Sequence, residues 1–247
     1  MSVKISPVEA MQGGKHNGDF TIEATVMLKS LYPDAKVRTI VNCWTNKNSE
    51  RGWCLGVTST KSGFKPRNLI LQFVGSRTKP DSKPEYEVIP SNLRVELNKP
   101  YYIAVSIDLD DPSEKGITFY LKDLSKPDSK PQITSVAHKA RWNIQSKQPI
   151  EIGGRSGQHR WDGLIQNVQL HRGKLSQEEL FSDVRNDSRK VFDIQFANED
   201  KLGHDATGNR RHAVVTDGGN VVASPLVRAR IALLHALLCS NEVIYVD

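Results

Sequence analysis

The chain has 247 residues, 38% of them hydrophobic and 25% charged, so it is long enough to bury a sizeable core and is neither disordered nor fibrous. No apolar run approaches the roughly 20 residues that cross a bilayer, and three cysteines are too few for a disulfide scaffold. The net charge of +6 is spread along the chain, densest at His204 to His212, and not gathered into a stripe with interleaved aromatics. That argues against nucleic acid as a partner and for a solvated basic surface, which can still attract acidic polysaccharides or anionic lipids.

Residues 1–19 are expected to be a lead-in, without the apolar stretch of a secretory signal. From Phe20 the pattern has period two: Phe20, Ile22, Ala24, Val26 and Leu28 alternate with Thr21, Glu23, Thr25, Met27 and Lys29. Leu69, Leu71 and Phe73 form a second row, Tyr101 to Leu109 a third, and Ile117, Phe119 and Leu121 a fourth. Successive strand side chains point to opposite faces, so each row is the buried face of a half-exposed sheet. Shorter strands are expected at 37–44, 53–58, 86–89, 133–138, 150–153, 164–171, 191–196 and 221–223. Many short strands between turn signals predict an all-β, two-sheet antiparallel sandwich of jelly-roll type.

The connectors agree with this. Residues 110–116 read as a hairpin loop, and Lys-Pro-Asp-Ser-Lys-Pro occurs at 79–84 and again at 126–131 as repeated turn chemistry. Matching the apolar phase of Val37, Val41 and Cys43 to that of Trp53, Leu55 and Val57 requires a one-residue slip from symmetric pairing. That slip turns Cys54 to the face opposite Cys43, so free thiols are expected. Val168 and Leu170 share a phase that Ile165 does not, which predicts a bulge between them.

Two helices are expected. Ser176-Gln177-Glu178-Glu179 is a capping box, with Leu175 and Leu180 placed to close that end; this helix is short and expected to end near Asn186. The second starts at Ser224-Pro225 and runs to about Ser240. Val227, Ile231, Leu234 and Leu238 make one apolar stripe on it and Leu226, Leu233 and Leu237 another. Two stripes predict two partners, so Leu226 to Leu238 is expected to pack on the sandwich and on another domain or a second copy. Cys239 lies on this helix without an evident partner.

The segment Trp161-Asp162-Gly163 entering 164–170, followed by Leu175-Ser176-Gln177-Glu178-Glu179-Leu180, resembles the signature of laminin-G-like, concanavalin A-like jelly-roll domains. Phe192 to Phe196, followed by His204-Asp205-Ala206-Thr207-Gly208-Asn209, resembles a strand and turn of the same family. In most members that element opens the domain and here it closes it, so the resemblance implies a circularly permuted sandwich over 20–223. The tail, Leu226 to Asp247, ends in a run from Ala236 to Asp247 that resembles the last residues of large modular planctomycete proteins that carry c-type haem domains. That implies an extracytoplasmic setting with neighbouring domains as partners; Cys-x-x-Cys-His is absent, so no covalent haem is expected here.

Relatives of this fold that cleave glucans use a Glu-x-Asp-x-x-Glu strand, which this chain lacks, and Gly-x-Ser-x-Gly is absent too. Glu85 and Glu87 share a face but no third acid follows. Zinc patterns are missing. Calcium is the ion the resemblance implies, with Asp162, Asp205 and Asn209 as candidate ligands; the competing reading has both aspartates capping their own turns. Sugar binding needs an aromatic platform and planar polar groups. Trp44, Trp53, Arg155, His159 and Arg160 are the candidate contacts, the last three in a loop that ends at Trp161, which is itself expected to pack under the sandwich. The expected function is a non-catalytic recognition or adhesion module that binds glycan. The alternatives are a structural module that organises neighbouring domains without a ligand, and a glycoside hydrolase of the same fold.

Overall fold

The alternating rows form strands because each can seal one face against a second layer; the row at Leu69, Leu71 and Phe73 differs from expectation in that its strand is buried on both faces. The computed structural model describes residues 2–7, 19–31, 35–79, 82–140, 144, 146, 148–182, 187–196 and 203–217. Within them the strands are β1 (Ser2–Ile5), β2 (Phe20–Leu28), β3 (Val37–Cys43), β4 (Gly52–Thr58), β5 (Asn68–Gly75), β6 (Glu85–Arg94), β7 (Pro100–Ile107), β8 (Ile117–Asp123), β9 (Gln132–Val136), β10 (Ile150–Ile152), β11 (Gly163–Arg172), β12 (Lys190–Gln195), β13 (His204–Asp205) and β14 (Val214–Asp217). They make two seven-stranded antiparallel sheets, ordered β14-β1-β10-β3-β4-β5-β6 and β13-β12-β11-β2-β7-β8-β9, here called the A and B sheets. This is the expected jelly-roll sandwich. No described helix is long and apolar enough to cross a membrane.

The core lies between the sheets. Phe20, Ile22, Ala24, Val26 and Leu28 of β2 and Ile103, Val105 and Ile107 of β7 meet Trp53, Leu55 and Val57 of β4 and Leu69, Leu71 and Phe73 of β5. Across the layers Phe20 and Trp53 pack with ring centroids 5.4 Å apart.

Registers follow the apolar phases. Cys43 stands opposite Trp53 and Cys54 opposite Asn42, with an irregularity between Thr39 and Val41, so the two thiols face opposite ways and both are free. The β11 bulge falls between Ile165 and Asn167. Gly163 enters β11 where a Cβ would lie 1.9 Å from the Met27 carbonyl oxygen, which excludes a larger residue after Asp162. Both Lys-Pro-Asp-Ser-Lys-Pro copies close with the same backbone bond, Ser82 N to Lys79 O and Ser129 N to Lys126 O, each 3.1 Å. They are turns, as their chemistry implied.

Three expectations need correction. Ser2–Ile5 is not a lead-in: it pairs with both β10 and β14, burying Val3 and Ile5 and exposing Lys4. Its alternation is too short to stand out in sequence. β6 extends to Arg94 through Pro90, which an edge strand tolerates because it needs no donor on its open side. The capping-box helix α1 spans only Gln177–Phe181, ending in extended Ser182. The helix expected from Ser224, the strand at 221–223 and Trp142 lie outside the described residues.

Candidate functional site

The outer face of the A sheet is closed by the loop 153–161. Arg155 and Gln158 exchange two backbone bonds of 2.9 Å around Ser156 and Gly157, both with positive φ, which makes a tight two-residue hairpin. The loop is tied to β3 by Thr39 N to His159 O, 2.9 Å, and by Arg38 Nη1 to Arg160 O, 3.0 Å. Arg155, 1% exposed, reaches over the sheet and donates to Gln72 Oε1 at 2.8 Å. Its guanidinium carbon lies 4.7 Å from the Trp44 ring centroid, and Trp44 stacks on Tyr86 at 5.6 Å. Gln72 Nε2 in turn donates to the Tyr86 hydroxyl at 2.5 Å.

These contacts change the status of the sequence candidates. Trp53 belongs to the core at 1% exposure, packed on Phe20, so it offers no platform to a ligand. Trp44 and Arg155 are brought together but are buried against each other, and together they support the loop. His159 and Arg160 alone of the five are half-exposed. His159 Nδ1 lies 2.9 Å from Arg155 Nη2; burial, and then the neighbouring guanidinium, push its pKa down to about 4, so the ring is a neutral acceptor. Trp161 is buried, as the resemblance implied.

The calcium candidates do not make a set. Asp162 precedes β11 and takes the Ser30 hydroxyl. Asp205 stands beside Ile194, whose partner on β11 is Val168, six positions further along the chain. At about 3.3 Å per residue the two carboxylates sit far apart. Burial alone would raise the Asp205 carboxyl, but bonds from Asp193 N–H, the Thr207 hydroxyl, Arg211 N–H and Thr207 N–H outweigh it and hold the group below the usual range. Asn209 Nδ2 donates to the Val191 carbonyl. Asp205 and Asn209 serve their own turn while Asp162 is tied to Ser30 on another segment, so the three do not fit a shared cation, and no other group of three His, Cys, Asp or Glu among the described residues suits one.

The B sheet presents a different outer face. Residues opposed in a ladder share a face, so Gln195, Asn167, Thr25, Tyr102 and Lys122 form one row across β12, β11, β2, β7 and β8. All five are half-exposed. The row crosses four strand spacings, about 19 Å. Thr25 N–H donates to Asn167 Oδ1 at 3.0 Å across the bulge, fixing that amide with its NH₂ turned to other partners. Phe181 of α1 leans over the row edge-on to Tyr102, centroids 5.4 Å apart, with Lys122 Nζ 5.8 Å from its ring. α1 is held there by its capping box and by Leu175 and Leu180 against Ala104 and Tyr120.

Two residues further along, on the same face, lies a buried row of Asp193, Gln169 and Glu23. Tyr102 donates its hydroxyl to Glu23 Oε2 at 2.5 Å, and His171 Nε2 stands 2.8 Å from Glu23 Oε1. Asp193 is paired with Lys190 at 3.2 Å and takes the Gln195 amide. Gln169, 8% exposed, keeps its side-chain oxygen without a hydrogen-bond partner among the described residues. The sequence contained the signal for both rows, since these are the outward positions in the alternations of β2, β7 and β11; attention to tryptophans and to the loop passed over them.

No family profile matches the chain, and no curated protein does. Solved structures do. A putative carbohydrate binding protein from Bacteroides ovatus is similar with a TM-score of 0.57 and 15% identity, over 90% of this chain and 58% of that one. The two share a jelly-roll sandwich fold. This chain thus spans little more than half of the Bacteroides protein's length. The SAP-like pentraxin of Limulus polyphemus aligns with a TM-score of 0.48 and 12% identity, over 91% and 89% of the two chains. The CBM40 of the Ruminococcus gnavus IT-sialidase, solved with α2,3-sialyllactose, aligns at 0.42 and 16%, over 68% and 83%.

Proposed function

We propose that this protein is a non-catalytic carbohydrate-recognition module whose contact surface is the outer face of the B sheet. The observation that carries the reading is the half-exposed row Gln195–Asn167–Thr25–Tyr102–Lys122 beside Phe181, backed by the unsatisfied oxygen of Gln169. Sugars present apolar CH faces and arrays of hydroxyls. An aromatic ring, planar amides and a hydroxyl laid along about 19 Å of sheet match both. A buried acceptor without a partner costs roughly 1–3 kcal/mol, and a ligand hydroxyl that reached it would recover part of that. The fold shared with a putative carbohydrate binding protein agrees with the reading. His159 and Arg160 on the opposite sheet are a second, smaller contact strip in this proposal, with Trp44 and Arg155 as its support.

The carboxylates favour binding over cleavage. Glu23 and Asp193 sit two strands apart, roughly 10 Å between backbones, and each is held by internal partners. Neither is presented to a scissile bond as a glycosidase pair would be. An exported setting within a larger protein, with neighbouring domains as further partners, belongs to the same proposal.

The test is a glycan array, read with and without calcium, followed by calorimetry on any hit. Tyr102→Ala and Asn167→Ala should each weaken binding about tenfold or more, about 1.4 kcal/mol, while Tyr102→Phe, which keeps the ring, should lose less than Tyr102→Ala. Binding that survives both alanine variants in folded protein would reject the surface. A chain that binds no sugar at all would favour a purely structural module.

A further inference from the structure

Resting on the carbohydrate reading, we infer that the B-sheet row selects an acidic glycan, with the anionic group, a carboxylate or a sulfate, seated at the β8 end against Lys122. Charge placement leads there. The two carboxylates that the strands themselves present on this face are buried in the neighbouring row: Glu23 faces the Tyr102 hydroxyl and His171, and Asp193 faces Lys190 and Gln195. Of the α1 carboxylates, Glu179 is held by Arg189 and Ser176 N–H, and Glu178 lies towards Tyr120. Lys122 is the one charged side chain in the half-exposed row, and no ion pair engages it among the described residues. Its Nζ stands 5.8 Å from the Phe181 ring, whose apolar surface displaces water from one side of the ammonium. An anion meeting Lys122 therefore finds a cation that is not already engaged in an ion pair among the described residues.

The other polar members of the row are neutral, so the anion has one place to go. Asn167, whose amide oxygen is taken by Thr25 N–H, stands three strand spacings from Lys122, about 14 Å. A single acidic sugar cannot reach both. The ligand is an oligosaccharide lying across the strands, with its acidic residue at the Lys122 end and neutral hydroxyls along Tyr102, Thr25 and Asn167.

The test is calorimetry of the full chain with uronic-acid oligosaccharides, their neutral methyl esters, and sulfated oligosaccharides of similar length, the first and last arms separating carboxylate from sulfate recognition. At least one acidic ligand should bind about three- to tenfold tighter than the neutral ester, and the advantage should shrink as salt is raised. Lys122→Met should abolish the advantage and leave ester binding in place, Lys122→Arg should retain it, and Lys61→Met, on an exposed loop of the other sheet, should change nothing. Equal affinity for acid and ester would overturn acidic selection while leaving sugar recognition standing. An acidic advantage that survives Lys122→Met, or that falls equally in Lys61→Met, would overturn the seat at Lys122. Binding of none of the three ligands, nor of any array glycan, would overturn the carbohydrate reading and this inference together.

Discussion

Trp53 stands opposite Cys43 and packs on Phe20 inside the sandwich, whereas Trp44, just past the end of β3, lies against Arg155 and Tyr86 on the outside of the same sheet. Two residues of one chemistry are thus separated by strand parity alone. The same parity separates the thiols: burial pushes the Cys43 thiol up to about 11, and burial raises that of Cys54 as well, so both are inert in the folded protein. His159 carries a measurable consequence. Its folded pKa is held near 4, against 6.5 for an ordinary imidazole. Between those values the unfolded chain takes up a proton that the folded chain refuses. Stability is therefore full above about pH 6.5, falls as the pH drops towards 4, and levels off below. With solvent screening of the half-exposed ring, the loss is roughly 1–2 kcal/mol. Denaturant titrations at pH 7.5 and 4.5 should show that the wild type loses this much more than His159→Gln; equal losses would remove His159 from the account.

At the scale of elements, α1 has only five residues, too few to persist on helix propensity. It stands because Ser176 and Glu179 satisfy each other's backbone N–H groups and because Leu175 and Leu180 bury against Ala104 and Tyr120. Ser176→Ala should cost about 1 kcal/mol and loosen Phe181 over the proposed contact row. Chemical denaturation reads the first effect and weakened glycan affinity the second; a change below about 0.3 kcal/mol would mean that the leucines alone hold the turn. His138 fastens another junction. Its two ring nitrogens lie 2.7–2.9 Å from the carbonyl oxygens of Ala140, Asp108 and Asp111, so one side chain ties the β7–β8 loop to the stretch after β9. Gly116 leaves it room, since a Cβ there would lie 2.7 Å from His138 Nε2.

For the whole molecule, the decisive connection joins the ends of the described chain. β1 lies between β14 and β10, so the first strand completes a sheet that the last strand extends. Neighbouring terminal strands are what a circular permutation requires. Removing Ser2–Ile5 would uncover the edges of β10 and β14 and the contacts of Val3 and Ile5, each roughly 1.5–3 kcal/mol of burial. The shortened chain should lose about 3–6 kcal/mol of unfolding free energy; a loss under about 1 kcal/mol would show β1 to be an accessory strand. The two outer faces also differ as wholes. The A sheet is roofed by the 153–161 loop, and the B sheet keeps a polar row at its surface.

Period-two alternation determined, from the sequence alone, that β2, β5, β7 and β8 are strands and which face of each meets the core, but not that the outer face of β5 is buried too. Phase matching determined the β3–β4 register, the fate of the two cysteines and the bulge after Ile165. These are local properties, because each follows from which of two faces a residue takes. The proposed contact surface is not local. Gln195, Asn167, Thr25, Tyr102 and Lys122 come from five strands and are neighbours only through the strand order β12-β11-β2-β7-β8. Loop 153–161 looked like the ligand loop because it is rich in Arg, His and Trp, yet tertiary packing folded Arg155 onto Trp44 and closed that face. Side-chain chemistry lists what can bind; only the packing of layers decides which of those groups meet solvent together.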